Sequence, residues 1–137
     1  IPLMSGTASN ALALSSFLPS YGSILCHDEA HINKDEGGAP EFFSGGGKLL
    51  TISDKSGKLK AKNIDIKIKN LNFKSKKDSK ISGVSITQLA ENGTIYQKKQ
   101  ILLIKAVVLK RPLKASAPLF LAYKVIKTAI EILVKEN

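Results

Sequence analysis

Ser5-Gly6-Thr7-Ala8-Ser9-Asn10 is the first stretch whose residue types could do chemistry. If a helix opens there, free backbone N–H groups, hydroxyls and the positive end of the helix dipole converge on one point, which is what a phosphate dianion needs. The same residues also make an ordinary capped helix start. His27-Asp28-Glu29-Ala30-His31 places two histidines at i and i+4, a spacing that on a helix could hold zinc. The metalloprotease pattern fails, because glutamate must follow the first histidine directly and Asp28 stands there, and no third ligand is evident; no metal site is expected. That leaves His31 as a surface histidine, or as a ring that stacks on a cofactor or moves a proton. Cys26 lies in an apolar run that should raise its pKa, so buried packing is expected of it, and no G-x-S-x-G elbow supports a serine nucleophile.

These residues need elements to hold them. Ser5-Gly6-Thr7 precedes apolar Ala8, Ala11, Leu12, Leu14, Phe17 and Leu18, predicting an amphipathic helix that Pro19 and Gly22 end. Ser23 to Cys26 reads as a buried parallel strand, the polar stretch His27 to Glu36 as the loop at its carboxyl end, and Lys48 to Ser53 as another strand. Lys55 to Lys80, where Ile64, Ile66, Ile68 and Leu71 alternate with charges, is compatible with a strand or a loosely packed helix and is read as surface structure. Ile81 to Gln88 is the next strand, Asn92-Gly93-Thr94 a turn, and the region around Ile95 to Lys110 a helix. From Leu119 onward, Leu119, Ala122, Tyr123, Ile126, Ile130 and Leu133 recur at three and four residue steps, predicting an amphipathic terminal helix docked by its apolar stripe. The order of elements is α/β grammar.

With 137 residues the chain can form one modest domain. The longest apolar stretches are cut by Lys105, Lys124 and Lys127, well short of the roughly 20 residues a membrane span needs, so a soluble, cytoplasmic chain is expected. A single cysteine excludes an internal disulfide. The net charge of +10 raises nucleic acid as a partner, but Arg111 is the only arginine and Phe73 the only aromatic among the lysines of Lys55 to Lys80, which argues against a base reader. A lysine-rich anion- or nucleic-acid-binding module without catalysis stays as the alternative function, and an inert remnant as a third.

Ser5 to Leu14, then Ile24-Leu25-Cys26-His27, Ala30-His31-Ile32, Asp35-Glu36 and Gly38 to Phe43, form an ordered set that resembles the threonine aldolases and related β-eliminating lyases. Gly45 to Ile52, Asp54 to Leu59, Gly83 to Gln88 and Gly93-Thr94-Ile95-Tyr96 continue the likeness over the first hundred residues. The resemblance implies an α/β fold: part of the large domain of a fold-type I, aspartate aminotransferase-like enzyme dependent on pyridoxal 5'-phosphate, in a family of homo-oligomers. It implies that Ser5, Gly6 and Thr7 cup the cofactor phosphate, Asn10 supports that turn, and Gln88 lines the pocket from a strand end. By the same resemblance His31 stacks on the pyridine ring near the substrate hydroxyl, and Glu36 is an acidic residue close by. The implied reaction is cleavage of threonine or allo-threonine to glycine and acetaldehyde.

The chain also departs from the family pattern. No aspartate follows residue 100 to partner the pyridine nitrogen, and no lysine there stands in the family's Schiff-base motif. Residues 1–100 are therefore expected to form a partial cofactor domain and 101–137 a divergent helical tail. Together with a start at Ile1, this suggests a fragment truncated at both ends and inactive alone.

Overall fold

The computed structural model describes residues 3–71, 80–110, 120–125 and 129–133. Helix α1, Gly6–Ser15, begins where Ser5 takes an extended backbone and its Oγ accepts the Ala8 N–H at 3.1 Å. Strand β1, Gly22–His27, is buried along its whole length. The short helices α2 (His31–Lys34) and α3 (Ala39–Phe43) lead to β2, Lys48–Ile52. Helix α4 (Ala61–Leu71), strand β3 (Lys80–Thr87) and helix α5 (Lys98–Leu109) follow, then β4 (Phe120–Val125) and β5 (Ala129–Leu133).

The sheet order is β2-β1-β3-β4-β5, parallel except for β5, which runs antiparallel to β4. Strand side chains alternate between faces, and β1 uses both. Leu25 packs with Ile52, Val84 and Ile86 against Ile64 and Ile68 of α4 and Ile104 and Val108 of α5. Ile24 and Cys26 pack the opposite face, with Leu14, Phe17, Leu18 and Ile32. Helices thus cover both faces, and α3 lies on α1. From β1 the chain crosses to β2 on the α1 face, then passes back over β1 to β3 on the α4 face. Changing face on reversing direction keeps parallel crossovers right-handed. The reversal makes the crevice between the carboxyl ends of β1 and β3 the topological switch point, where α/β sheets bind ligands.

Two expectations are corrected here. Ile64, Ile66 and Ile68 alternate as a strand would, yet they lie on α4, where Ile64 and Ile68 share one buried face at i and i+4 and Ile66 is exposed. The segment is a packed helix and not loose surface structure. Its remainder, residues 72–79, lies outside the described residues. Of the amphipathic helix expected from Leu119, Ala122 and Tyr123 lie on strand β4 and Ile130 and Leu133 on strand β5, while Leu119 and Ile126 lie outside the described residues. β3 is buried and needs a hydrogen-bonding partner on the side away from β1, and Phe120–Val125 supplies it in parallel register, Val84 opposite Leu121 and Ile86 opposite Tyr123. Ladder bonds outweighed a three-and-four periodicity that aromatic and β-branched residues support only weakly in a helix. Helix α5 runs across residue 100, and none of the described helices is long and apolar enough to cross a membrane.

The two faces of α4 make a clean test. Ile64→Ala should cost about 2–5 kcal/mol of unfolding free energy, as a large-to-small change in a core does. Ile66→Ala should stay within about 0.5 kcal/mol, as exposed substitutions do. Urea unfolding distinguishes them; equal costs would contradict the helix.

Candidate active site

Because α1 runs antiparallel to β1, its amino end sits at the carboxyl edge of the sheet, beside the loops that leave β1, β2 and β3. Ser5, Gly6 and Thr7 form that open end, with no acidic residue in the first turn. The first N–H groups of a helix have no carbonyl one turn back, so those of Gly6 and Thr7 are donors without a helical acceptor. Asn10 lies one turn further along, and its Nδ2 donates to Glu36 Oε1. The Glu36 side chain is completely buried. Gly37 and Gly38 follow with left-handed backbones (φ 55° and 79°), turning the chain into α3 with Glu36 directed inward.

His31 opens α2 and its ring is one-third exposed. Three carboxylates face it: Asp35 Oδ2 at 3.4 Å and Glu91 Oε1 at 4.0 Å from Nδ1, and Glu36 Oε1 at 3.8 Å from Nε2. The contact to Glu91 joins the loop after β1 to the loop after β3 across the switch point. Gln88 follows β3 directly; its Nε2 donates to the Tyr96 carbonyl at 3.3 Å while the Tyr96 N–H donates back to the Gln88 carbonyl at 3.0 Å. Gln88 thereby closes the loop that carries Glu91. The fold thus joins Asn10, Glu36 and His31 in one contact chain, puts Ser5, Gly6 and Thr7 a turn away, and reaches Gln88 through its loop.

His27 and His31 do not share a helix face. His27 ends β1, where the Glu29 N–H donates to Nδ1 at 3.1 Å and Nε2 lies 3.0 Å from the Asp54 carbonyl and 3.1 Å from its N–H. The ring therefore fastens the loop after β2 to the end of β1. Asp54, which the sequence reading did not single out, accepts from Ser56 N at 2.9 Å and pairs with Lys60 Nζ at 2.8 Å. The hydrogen bond from Lys60, then those from Ser56, hold its carboxyl well below the usual carboxylate range. Asp28 is also lowered, first by the Ser53 hydroxyl. An open cleft of about 590 Å³ lies among these loops, lined by His27, Asp28, Ser53, Asp54, Glu91 and Asn92. Neither Asp54 nor Glu91 has a sequence signal beyond a neighbouring turn glycine. Cys26, fully buried, has its thiol pushed up to about 12 by burial first, then by Glu41 and Asp28, as the apolar run around it implied.

A family model for the beta-eliminating lyases matches residues 1–115. The low specificity L-threonine aldolase of a Pseudomonas species is 43% identical over 104 residues, which are 74% of this chain and 29% of that protein. Its counterpart from Pseudomonas aeruginosa is 42% identical over 102 residues, with the same coverage. Among solved structures, the threonine aldolase of Leishmania major superposes with a TM-score of 0.73 at 27% identity, covering 85% of this chain and 32% of that one. The chain thus spans about three tenths of the length of each relative.

Two outcomes follow from the geometry. A carboxyl lowered by folding contributes stability that is fully present above its unfolded pKa, near 3.9, and is lost as pH falls toward the folded value. Asp54→Asn should therefore lower the urea midpoint at neutral pH and narrow its gap from the parent below about pH 4; a gap constant with pH would remove Asp54 from the acid limb. Cys26 should not react with a thiol reagent at mildly alkaline pH until urea unfolds the chain, which rapid labelling of the folded protein would contradict.

Proposed function

Because the chain belongs to the beta-eliminating lyase family, matched over residues 1–115, we propose that it is the phosphate- and ring-holding part of a threonine aldolase dependent on pyridoxal 5'-phosphate. The substrates of this reading are threonine and allo-threonine, cleaved to glycine and acetaldehyde. The observation that carries it is the meeting, at the switch point, of an open helix start with His31 and a buried carboxylate.

The donor set suits the phosphate. Gly6 and Thr7 N–H groups and the Ser5 and Thr7 hydroxyls offer hydrogen bonds, and no carboxylate in the first turn repels the anion. The α1 dipole adds about 0.3–1 kcal/mol, up to roughly 2 in favourable geometry. The part-exposed ring of His31 is free to lie against an aromatic face. The strand beside β3 reads Phe120-Leu121-Ala122-Tyr123-Lys124-Val125, a sequence with no carboxylate to pair with a pyridine nitrogen. When bound, the cofactor supplies the electron sink for the carbanion left by Cα–Cβ cleavage.

His31 takes up the proton of the substrate hydroxyl. With an Nε2–H directed at buried Glu36, the lone pair falls on Nδ1, whose neighbours Asp35 and Glu91 are both about half exposed. The hydroxyl proton passes to Nδ1, and the carboxylates stabilise the imidazolium, the arrangement of a base oriented by a buried acid. The contacts this reading gives to the cofactor, hydrogen bonds to its phosphate and the face of the His31 ring, are non-covalent.

Titration with pyridoxal 5'-phosphate, followed by absorbance, should give a saturable complex that borohydride does not trap. His31→Ala should weaken it by about 2- to 10-fold, the size of one aromatic stacking contact. No saturable binding at all would overturn the proposal, and a borohydride-stable adduct would overturn the absence of a covalent anchor.

A further inference from the structure

Asn10 spends its side-chain amide on Glu36, 26 residues away, and not on the helix turn above it. A buried carboxylate is costly unless it is hydrogen-bonded, and the partner chosen decides what becomes of its charge. A lysine or arginine would satisfy Glu36 and neutralise it. Asn10 meets its Oε1 with a neutral donor, in a chain that carries 21 lysines and arginines. The atom that Asn10 holds, Glu36 Oε1, is the same atom that lies 3.8 Å from His31 Nε2. The other carboxylates near the ring, Asp35 and Glu91, are 57% and 48% exposed, so solvent screens them; Glu36 is fully shielded.

We propose that Asn10 is a positioning residue for His31: it fixes the Glu36 carboxylate, and the carboxylate fixes the ring nitrogen that carries the proton and the plane in which the ring lies. This rests on the role given to His31 above. It gives Asn10 a task other than bracing the Ser5-Gly6-Thr7 turn, and it ties the phosphate end of α1 to the ring through one side chain on the same helix. The geometry asks for a neutral donor of this length at position 10 and an acceptor at position 36.

The test follows the Cε1–H signals of the two histidines by NMR on the full chain, with His31→Gln assigning them. Asn10→Ala should displace the His31 signal beyond its linewidth and leave that of His27 in place. Glu36→Gln keeps an acceptor for Asn10 but removes the charge, and should displace the His31 signal too. The double variant should move it no further than the larger single change, because the two act in series. Pyridoxal-phosphate affinity should fall several-fold in each single variant, again without addition. Should Asn10→Ala unfold, Asn10→Asp keeps the size and turns the donor into a repelling carboxylate, and it should displace the same signal. An unmoved His31 signal in folded Asn10 variants, with lowered urea stability, would make the contact a brace between α1 and the loop before α3 and overturn the proposal. The signal arm decides the relay whether or not the cofactor binds, whereas failure of the parent chain to bind it counts against the function proposed above.

Discussion

Burial of β1 on both faces is the constraint from which the rest of the molecule follows. Ser23, Ile24, Leu25 and Cys26 are fully buried, so helices must cover both sides of the strand and its neighbours must run parallel to it. With α1 on one face and α4 and α5 on the other, the chain leaves β1 on one side and returns over it on the other. The crevice at the carboxyl ends of β1 and β3 is a consequence of that path. It would exist whatever residues lined it, because the topology provides the place and the side chains decide its use.

A second layer of constraint is polar. Three loops meet at the carboxyl edge, each with backbone groups that the sheet no longer satisfies. His27 takes up those of Glu29 and Asp54, and Asn92 Nδ2 and Thr94 Oγ1 both donate to the Ser56 carbonyl, at 3.0 and 2.9 Å. Asp28, Glu29, Asp35, Glu36, Asp54 and Glu91 all stand in these loops or at the ends of the short helices among them, in a chain whose net charge is +10. Lys34 pairs with Glu29, Lys60 with Asp54, and Lys55 joins the cleft lining, so the edge carries both signs with carboxylates in excess. Such an edge suits a cationic amino group and a histidine better than a polyanion, which weakens the lysine-rich binding module as an account of this face.

Much of the fold was legible in the sequence where local patterns and burial agree. The Ser5 cap, the continuous apolar run of β1, and the strand run from Ile81 each specify one structure at short range. Reading failed where two periods competed. Ile64, Ile66 and Ile68 fit a strand by alternation and a helix by the i, i+4 pair, and only the packing of Ile64 and Ile68 under the sheet decides. The three-and-four spacing after Leu119 likewise yielded to the unpaired edge of β3, a need that arises 37 positions earlier in the chain, where Gly83 pairs with Phe120, and leaves no local mark.

For the site, the sequence by itself determined the residue types: a capped glycine turn at a helix start, one buried thiol, and histidines and carboxylates gathered after the first strand. Those features depend on side-chain chemistry and short-range geometry, which a linear reading retains. Tertiary structure alone decided who meets whom. Glu36 reaches Asn10 across 26 positions, Glu91 arrives beside His31 from the far side of the switch point, and His27 turns away to fasten the loop of Asp54. Such contacts depend on how the helices cross the sheet, and that is set by the burial of β1 and not by the sequence around the contact.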